Sequence, residues 1–197
     1  MLIKRFYIAI AAVLRQHSQL RLMPYYRKWT DTVRHIISIL LQNEAGALAR
    51  VANLFSSRGF NIESLNVAPT HDETVSRLTL VTVGSDEIID QIIKQLGKLI
   101  DVVNIIDMTK GDHIERELVL FKLLLNSEDK KELIELANNF EARILDDHEG
   151  HYTVELLGGS EEIEKFILAL SGRVEILTVV RSGAMAVARG VPLLTPG

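Results

Sequence analysis

The sequence predicts an α+β protein built from two tandem ferredoxin-like βαββαβ units. Three observations lead there. Apolar, β-branched runs of strand length alternate with segments of helical spacing in the order strand, helix, strand, strand, helix, strand. The same order then occurs a second time. Composition is that of a globular chain, 47% hydrophobic and 24% charged over 197 residues, which leaves room for one ordinary domain or two small ones.

The first unit starts with HIISILLQ (35–42), a strand pattern. GALARVANLFSSRG (46–59) then spaces Leu48, Val51, Leu54 and Phe55 as one helix face, and Gly59 supplies a stop. FNIESLNVA (60–68) and VSRLTLVTV (75–83) read as strands joined by the turn-rich PTHDET. Ser85 is the expected N-cap of the next helix, with Asp86 and Glu87 where the helix dipole favours acids. Its apolar stripe is Ile88, Ile89, Ile92, Ile93, Leu96 and Ile100, although Gly97 costs about 1 kcal/mol against alanine in a helix interior. VVNIIDM (102–108) closes the unit.

The second unit runs RELVLFKLLL (116–125) as strand and SEDKKELIELANNF (127–140) as a helix capped by Ser127. ARILDDH and HYTVELL form a hairpin across Glu149-Gly150, with Tyr152, Val154 and Leu156 alternating on one face. SEEIEKFILALSG (160–172) places Ile163, Phe166, Ile167 and Leu170 at helical spacing, and VEILTVVRSG ends the unit as a strand. The expected division is therefore an extension over 1–33, a first unit over 34–110, a second over 111–190 and a tail over 191–197, with the linker near Lys110–His113. A sheet covered by helices on one face only leaves its other face and its edges available, which predicts pairing with a second copy.

Composition excludes several chemistries. There is no cysteine, hence no disulfide, thiolate catalysis or cysteine-based metal site. Residues 1–34 carry seven basic side chains against one acid, and 35–197 carry 15 against 25. The acidic body lacks the basic footprint that phosphate neutralisation needs, so no nucleic-acid partner is expected. FYIAIAAVL (6–14) is too short for the roughly 20 residues that span a bilayer, so no membrane partner is expected either. This extension is assigned outside the fold, as a mis-assigned start or a targeting segment, and the body to the cytoplasm unless 1–33 directs organelle import.

The stretch NEAGALARVANLFSSRGFNIESL (43–65) carries the functional signal. The opening N–H groups of a helix have no internal partner and form a ready site for a carboxylate. Gly46 allows close approach, and Asn43 adds an amide that both donates and accepts. If two copies pair, Asn61 of one faces the Asn43–Gly46 turn of the other, with an apolar wall from Leu48 and Ile62. Such a pocket suits a small aliphatic amino acid and holds nothing that breaks bonds. The bland alternative is that Asn and Gly serve here only as caps and turns.

RHIISILLQNEAGALARVANLFSSRGFNIESLNVAPT (34–70) resembles the N-terminal ACT domain of the regulatory (small) subunit family of acetohydroxyacid synthase, also called acetolactate synthase. SRLTLVTVG (76–84), KQLGKLIDVV (94–103), HIEREL (113–118) and VVRSGAMAVARG (179–190) extend the likeness over about 34–190. The resemblance implies a homodimer without a catalytic centre or cofactor of its own. Its partner would be a catalytic large subunit that carries thiamine diphosphate, FAD and magnesium and joins pyruvate to a second 2-keto acid. It further implies that the small subunit stimulates that enzyme and confers feedback inhibition by valine in branched-chain amino acid biosynthesis. Carried over by position, Asn43, Gly46, Ala47 and Leu48 of one copy meet Asn61 and Ile62 of the other around the effector. Ala49 stands where family members often have serine, removing a hydroxyl near the pocket. The family's usual start, Met-Arg-Arg or similar, aligns with Val33-Arg34-His35, so Val33 is read as the translation start, with organelle import of 1–32 as the competing account.

Other signals carry less. His148 and His151 straddle a hairpin near Asp146 and Asp147, but no spacing matches a zinc signature, and no metal is expected. Arg116, Arg181 and Arg189 are candidate anchors for the large subunit. The competing functional classes are a self-contained ferredoxin-like enzyme and a free-standing amino-acid-sensing regulator of transcription. The acidic body and the absence of a helix-turn-helix pattern weigh against the latter.

Overall fold

The computed structural model describes residues 33–126, 128–191 and 194–195. The proposals about residues 1–32 and the Ser127 cap lie outside the described residues.

The first unit comprises β1 (Val33–Gln42), α1 (Ala47–Ser57), β2 (Ser64–Pro69), β3 (Val75–Gly84), α2 (Asp86–Leu96) and β4 (Val102–Asp107). A 3-10 turn, Met108–Lys110, leads into β5 (His113–Leu124), followed by α3 (Lys130–Asn139), β6 (Arg143–His148), β7 (His151–Gly158), α4 (Ser160–Leu170), β8 (Glu175–Arg181) and β9 (Met185–Ala188). The sheets run β2-β3-β1-β4 and β6-β7-β5-β8, with β9 also pairing to β5 and every pairing antiparallel. Each unit is thus a ferredoxin-like βαββαβ fold.

The helices cover one face of each sheet. Ile37, Ile39 and Leu41 of β1 pack with Leu78 and Leu80 of β3 against Val51, Phe55, Ile89, Ile92 and Leu96. In the second unit Val119, Phe121 and Leu123 meet Val154, Leu156, Leu133, Ile163, Phe166 and Leu170. The Phe166 ring sits 5.3 Å from Phe121 and 5.2 Å from Phe140, centroid to centroid. The hairpin turn places Glu149 at φ 49° and Gly150 at φ 81°, the paired positive φ values that a two-residue loop needs to follow strand twist.

Some elements differ from expectation. The buried face of α1 is Ala47, Val51 and Phe55, while Leu48 is 38% exposed. A helix that begins at residue 47 presents positions 47, 51 and 55 to the sheet and turns 48 to the side. Helix α2 ends at Leu96 with Gly97 at its C-cap, which leaves Ile100 beyond the stripe and 86% exposed. Ser85 holds the N-cap position without bonding a helix N–H; the Glu87 carboxyl is held below the usual range first by its own backbone N–H and then by the Ser85 hydroxyl. Helix α3 starts at Lys130 behind Asp129.

A larger correction concerns the face of the first sheet opposite its helices. It is covered by the chain's own last segment. Ala184 and Ala186 lie buried against Ile36, Val81 and Met108, and Leu194 against Leu40 and Val75. Strand β5 begins three residues earlier than the sequence suggests because His113–Arg116 pair with β9. Close passage is possible because residue 183 is glycine: a Cβ there would lie 3.4 Å from Ser64 Cβ and 3.5 Å from the Leu65 backbone. Arg34 clamps Glu115 across the junction with bonds of 2.6 and 3.1 Å.

Candidate functional site

Gly46 forms the N-cap of α1 at φ 89°, a left-handed conformation that glycine adopts without strain. The Ala47 N–H closes the preceding turn on the Glu44 carbonyl at 3.2 Å, and Arg50 N–H makes the first regular helical bond to the Gly46 carbonyl at 3.0 Å. Between them, the N–H groups of Leu48 and Ala49 meet no acceptor among the described residues, as helix geometry dictates for a first turn. The positive end of the helix therefore opens to solvent beside the exposed side chain of Leu48.

A cation that the sequence pattern does not single out, the Arg50 guanidinium, stands at this opening. Arg50 Nε and Nη2 both bond the Asp101 carboxylate, the latter at 2.7 Å to Oδ1. Asp101 is 5% exposed, in the turn before β4. The bond to Arg50 holds the Asp101 carboxyl below the usual carboxylate range and raises the guanidinium in return. With Nε and Nη2 occupied, Nη1 is left 3.1 Å from where a Cβ on Gly46 would stand. The pairing joins residues 51 positions apart, so no local pattern reveals it.

The expected site residues divide into two groups. Asn43, Gly46, Ala47 and Leu48 gather at the start of α1. Asn61 and Ile62 lie beyond its other end, and an 11-residue helix is about 16 Å long, so one chain does not bring the groups together. Asn43 is already engaged: its Nδ2 donates to the Glu73 carbonyl at 2.9 Å and its Oδ1 accepts from Ser76 Oγ at 3.1 Å. It holds the 70–74 turn in place beside the helix entrance. The Ala47 side chain is buried in the core, so only its backbone borders the opening. Asn61 is exposed, its carbonyl anchored by Thr82 Oγ1 at 2.7 Å, and Ile62 packs half-buried on the first core.

The candidate docking arginines are held within the chain. Arg181 grips Glu117 at 2.7 and 2.8 Å, Arg189 reaches Asp112 at 3.2 Å, and Arg116 donates to the Glu115 carbonyl at 2.8 Å.

Residues 37–104 match the family model of the AHAS small subunit-like ACT domain, and residues 116–190 match the model for the small subunit of acetolactate synthase. The chain is 46% identical over 158 residues to the acetolactate synthase small subunit of Haemophilus influenzae, covering 80% of this chain and 97% of that protein. The chain belongs to the acetolactate synthase small-subunit family. The isozyme 3 small subunit of Escherichia coli K12 is another such relative, 43% identical over the same shares. The crystal structure of the family member from Thermotoga maritima superposes with a TM-score of 0.71 at 34% identity, spanning 81% of this chain and 99% of that one. The two family models fall on the two βαββαβ units, and the gap between them spans the Met108–Lys110 turn.

Proposed function

We propose that this chain is the non-catalytic regulatory subunit of acetolactate synthase and that it senses valine at the opening of α1. The observation that carries the reading is the coincidence of a glycine N-cap, two unmatched N–H groups and the Arg50 guanidinium around one small opening. Together they offer a carboxylate two backbone donors and a cation, with Leu48 beside it for an aliphatic side chain. Asn61 and Ile62 of a second copy complete the pocket, the amide oxygen of Asn61 accepting from the ligand's ammonium. Among the described residues no nucleophile paired with a base lies at this opening. Bond making belongs to the catalytic large subunit with its thiamine diphosphate, FAD and magnesium, at the first common step of branched-chain amino acid synthesis. This chain stimulates that subunit and lowers its activity when valine is bound, with a coupling of about 1–3 kcal/mol between the two states.

Gly46→Asp tests the site. A carboxylate at residue 46 stands beside Arg50 Nη1 and takes the place of the ligand's own. The reconstituted enzyme should keep its stimulation and lose valine inhibition. Asn61→Ala should raise the valine concentration for half-inhibition by about tenfold, the worth of a hydrogen bond to a charged group. Inhibition unchanged in both variants would remove the pocket from the proposal. Condensation of pyruvate by the purified chain alone would favour a self-contained enzyme instead.

A further inference from the structure

On the opposite side of the same sheet lies a cleft of about 440 Å³, floored by Asn66 and Ala68 of β2, Arg77 and Thr79 of β3 and Met108, and walled by β9 and Leu194. Its volume falls in the range of small-molecule sites, about 300–1,000 Å³. Arg77 is half-buried there, and burial pushes its guanidinium downward with no acid to offset the loss of water. Nη1 donates to Ser38 Oγ at 3.2 Å and Nη2 to the Leu194 carbonyl at 2.6 Å, both neutral acceptors. Every other arginine anchored by a side-chain acceptor among the described residues has a carboxylate: Arg34, Arg50, Arg143, Arg173, Arg181 and Arg189. Guanidinium presents five N–H donors in a planar fork, so Arg77 keeps three for a ligand.

The remaining lining narrows the ligand. Among the described residues no aspartate or glutamate lines the cleft, so an ammonium group would find no counter-charge there. Met108, Ala186 and Leu194 are buried apolar side chains that suit a short aliphatic group. We propose that this cleft binds a small aliphatic carboxylic acid without an amino group, of the 2-oxo or 2-hydroxy class, through the Arg77 guanidinium. The site is separate from the α1 opening, on the other face of the sheet, and stands whether or not valine binds there.

Titration calorimetry of the full chain with sodium 3-methyl-2-oxobutanoate, valine and inorganic phosphate as separate probes tests it. The oxo acid should bind saturably in the presence of excess valine. Arg77→Gln should weaken that binding by about tenfold or more, the loss expected for a charge-assisted bond, while valine binding stays as in the parent chain. Ala68→Phe, which fills the cleft opposite Arg77 in the β2–β3 register without removing the cation, should abolish oxo-acid binding too. The proposal is overturned if the parent chain shows no saturable oxo-acid heat, or if both variants bind as the parent does. It is equally overturned if valine displaces the oxo acid, which would place it at the α1 opening, or if phosphate binds as tightly, which would make the cleft a general anion hole. Valine binding retained in Gly46→Asp and Asn61→Ala would sink the effector reading and leave this one standing.

Discussion

Asp101 shows how one residue ties the fold to the candidate site. It is buried in the turn before β4, and its carboxylate fixes the guanidinium that faces Gly46. Arg50 holds that carboxyl below its ordinary value, so the pair's contribution to stability is present above the unfolded-chain carboxylate value of about 3.9. It is lost as pH falls through the lower folded value. Asp101→Asn should therefore unfold at lower denaturant than the parent chain at neutral pH, with the gap closing as the solution is acidified. A gap that stayed constant down to strongly acidic pH would show that the loss is packing rather than charge. His35 is a second buried polar group, 1% exposed, with Nδ1 3.1 Å from Asp107 Oδ2 and Nε2 3.5 Å from Asp86 Oδ1. It sits at the edge of the helix-covered face, where β1, β4 and α2 converge.

At the scale of elements, the turns discriminate between conformational and steric demands. Gly59, after α1, has φ 70° and open space where a Cβ would be. Gly150, in the β6–β7 hairpin, has φ 81°, and a Cβ there would stand 2.9 Å from the Leu125 carbonyl oxygen. Gly59→Ala should cost only the left-handed backbone penalty, about 1 kcal/mol. Gly150→Ala should cost about 1–2 kcal/mol more, because a backbone carbonyl cannot swing aside as a side-chain end can. Urea unfolding of the two variants decides the point: equal midpoints would mean that the hairpin relaxes freely around the added methyl. The other edge strands carry different signatures. β6 is charged and bulged near Ile144, which discourages pairing with another chain, whereas β8 exposes Val179 and Val180.

For the whole molecule, the segment after β8 binds the two units into one body. Ala184 is 1% exposed among Ile36, Val81 and Met108. A carboxylate there has no partner, and Ala184→Asp should cost about 3 kcal/mol or more. The decisive measurement is hydrogen exchange in β1 and β3, a hundred or more residues away in sequence. Faster exchange there is expected, and exchange unchanged in both strands would mean that the tail is an appendage. The small residues Gly183, Ala184 and Ala186 permit this contact: larger side chains would hold the crossing segment off the sheet.

Local physics made much of this legible. The period-two alternation of Tyr152, Val154 and Leu156, the helical spacing of Ile163, Phe166 and Leu170, and the Glu149-Gly150 turn are all short-range statements about a backbone with few allowed conformations. So is a glycine at the head of α1, and from it the open N–H groups of the first turn. Pattern could not supply contacts made at long range. β9 is four residues, Met-Ala-Val-Ala, too short to show a periodicity of its own, a strand only because the start of β5 gives it a partner. Leu48 left the core because the register of α1 against the sheet favoured Ala47. Nothing in the local pattern singles out Arg50 or Arg77; folding placed Asp101 beside one and neutral partners around the other. Burial and charge pairing depend on which distant residues the topology brings together, and that is decided by the packed whole.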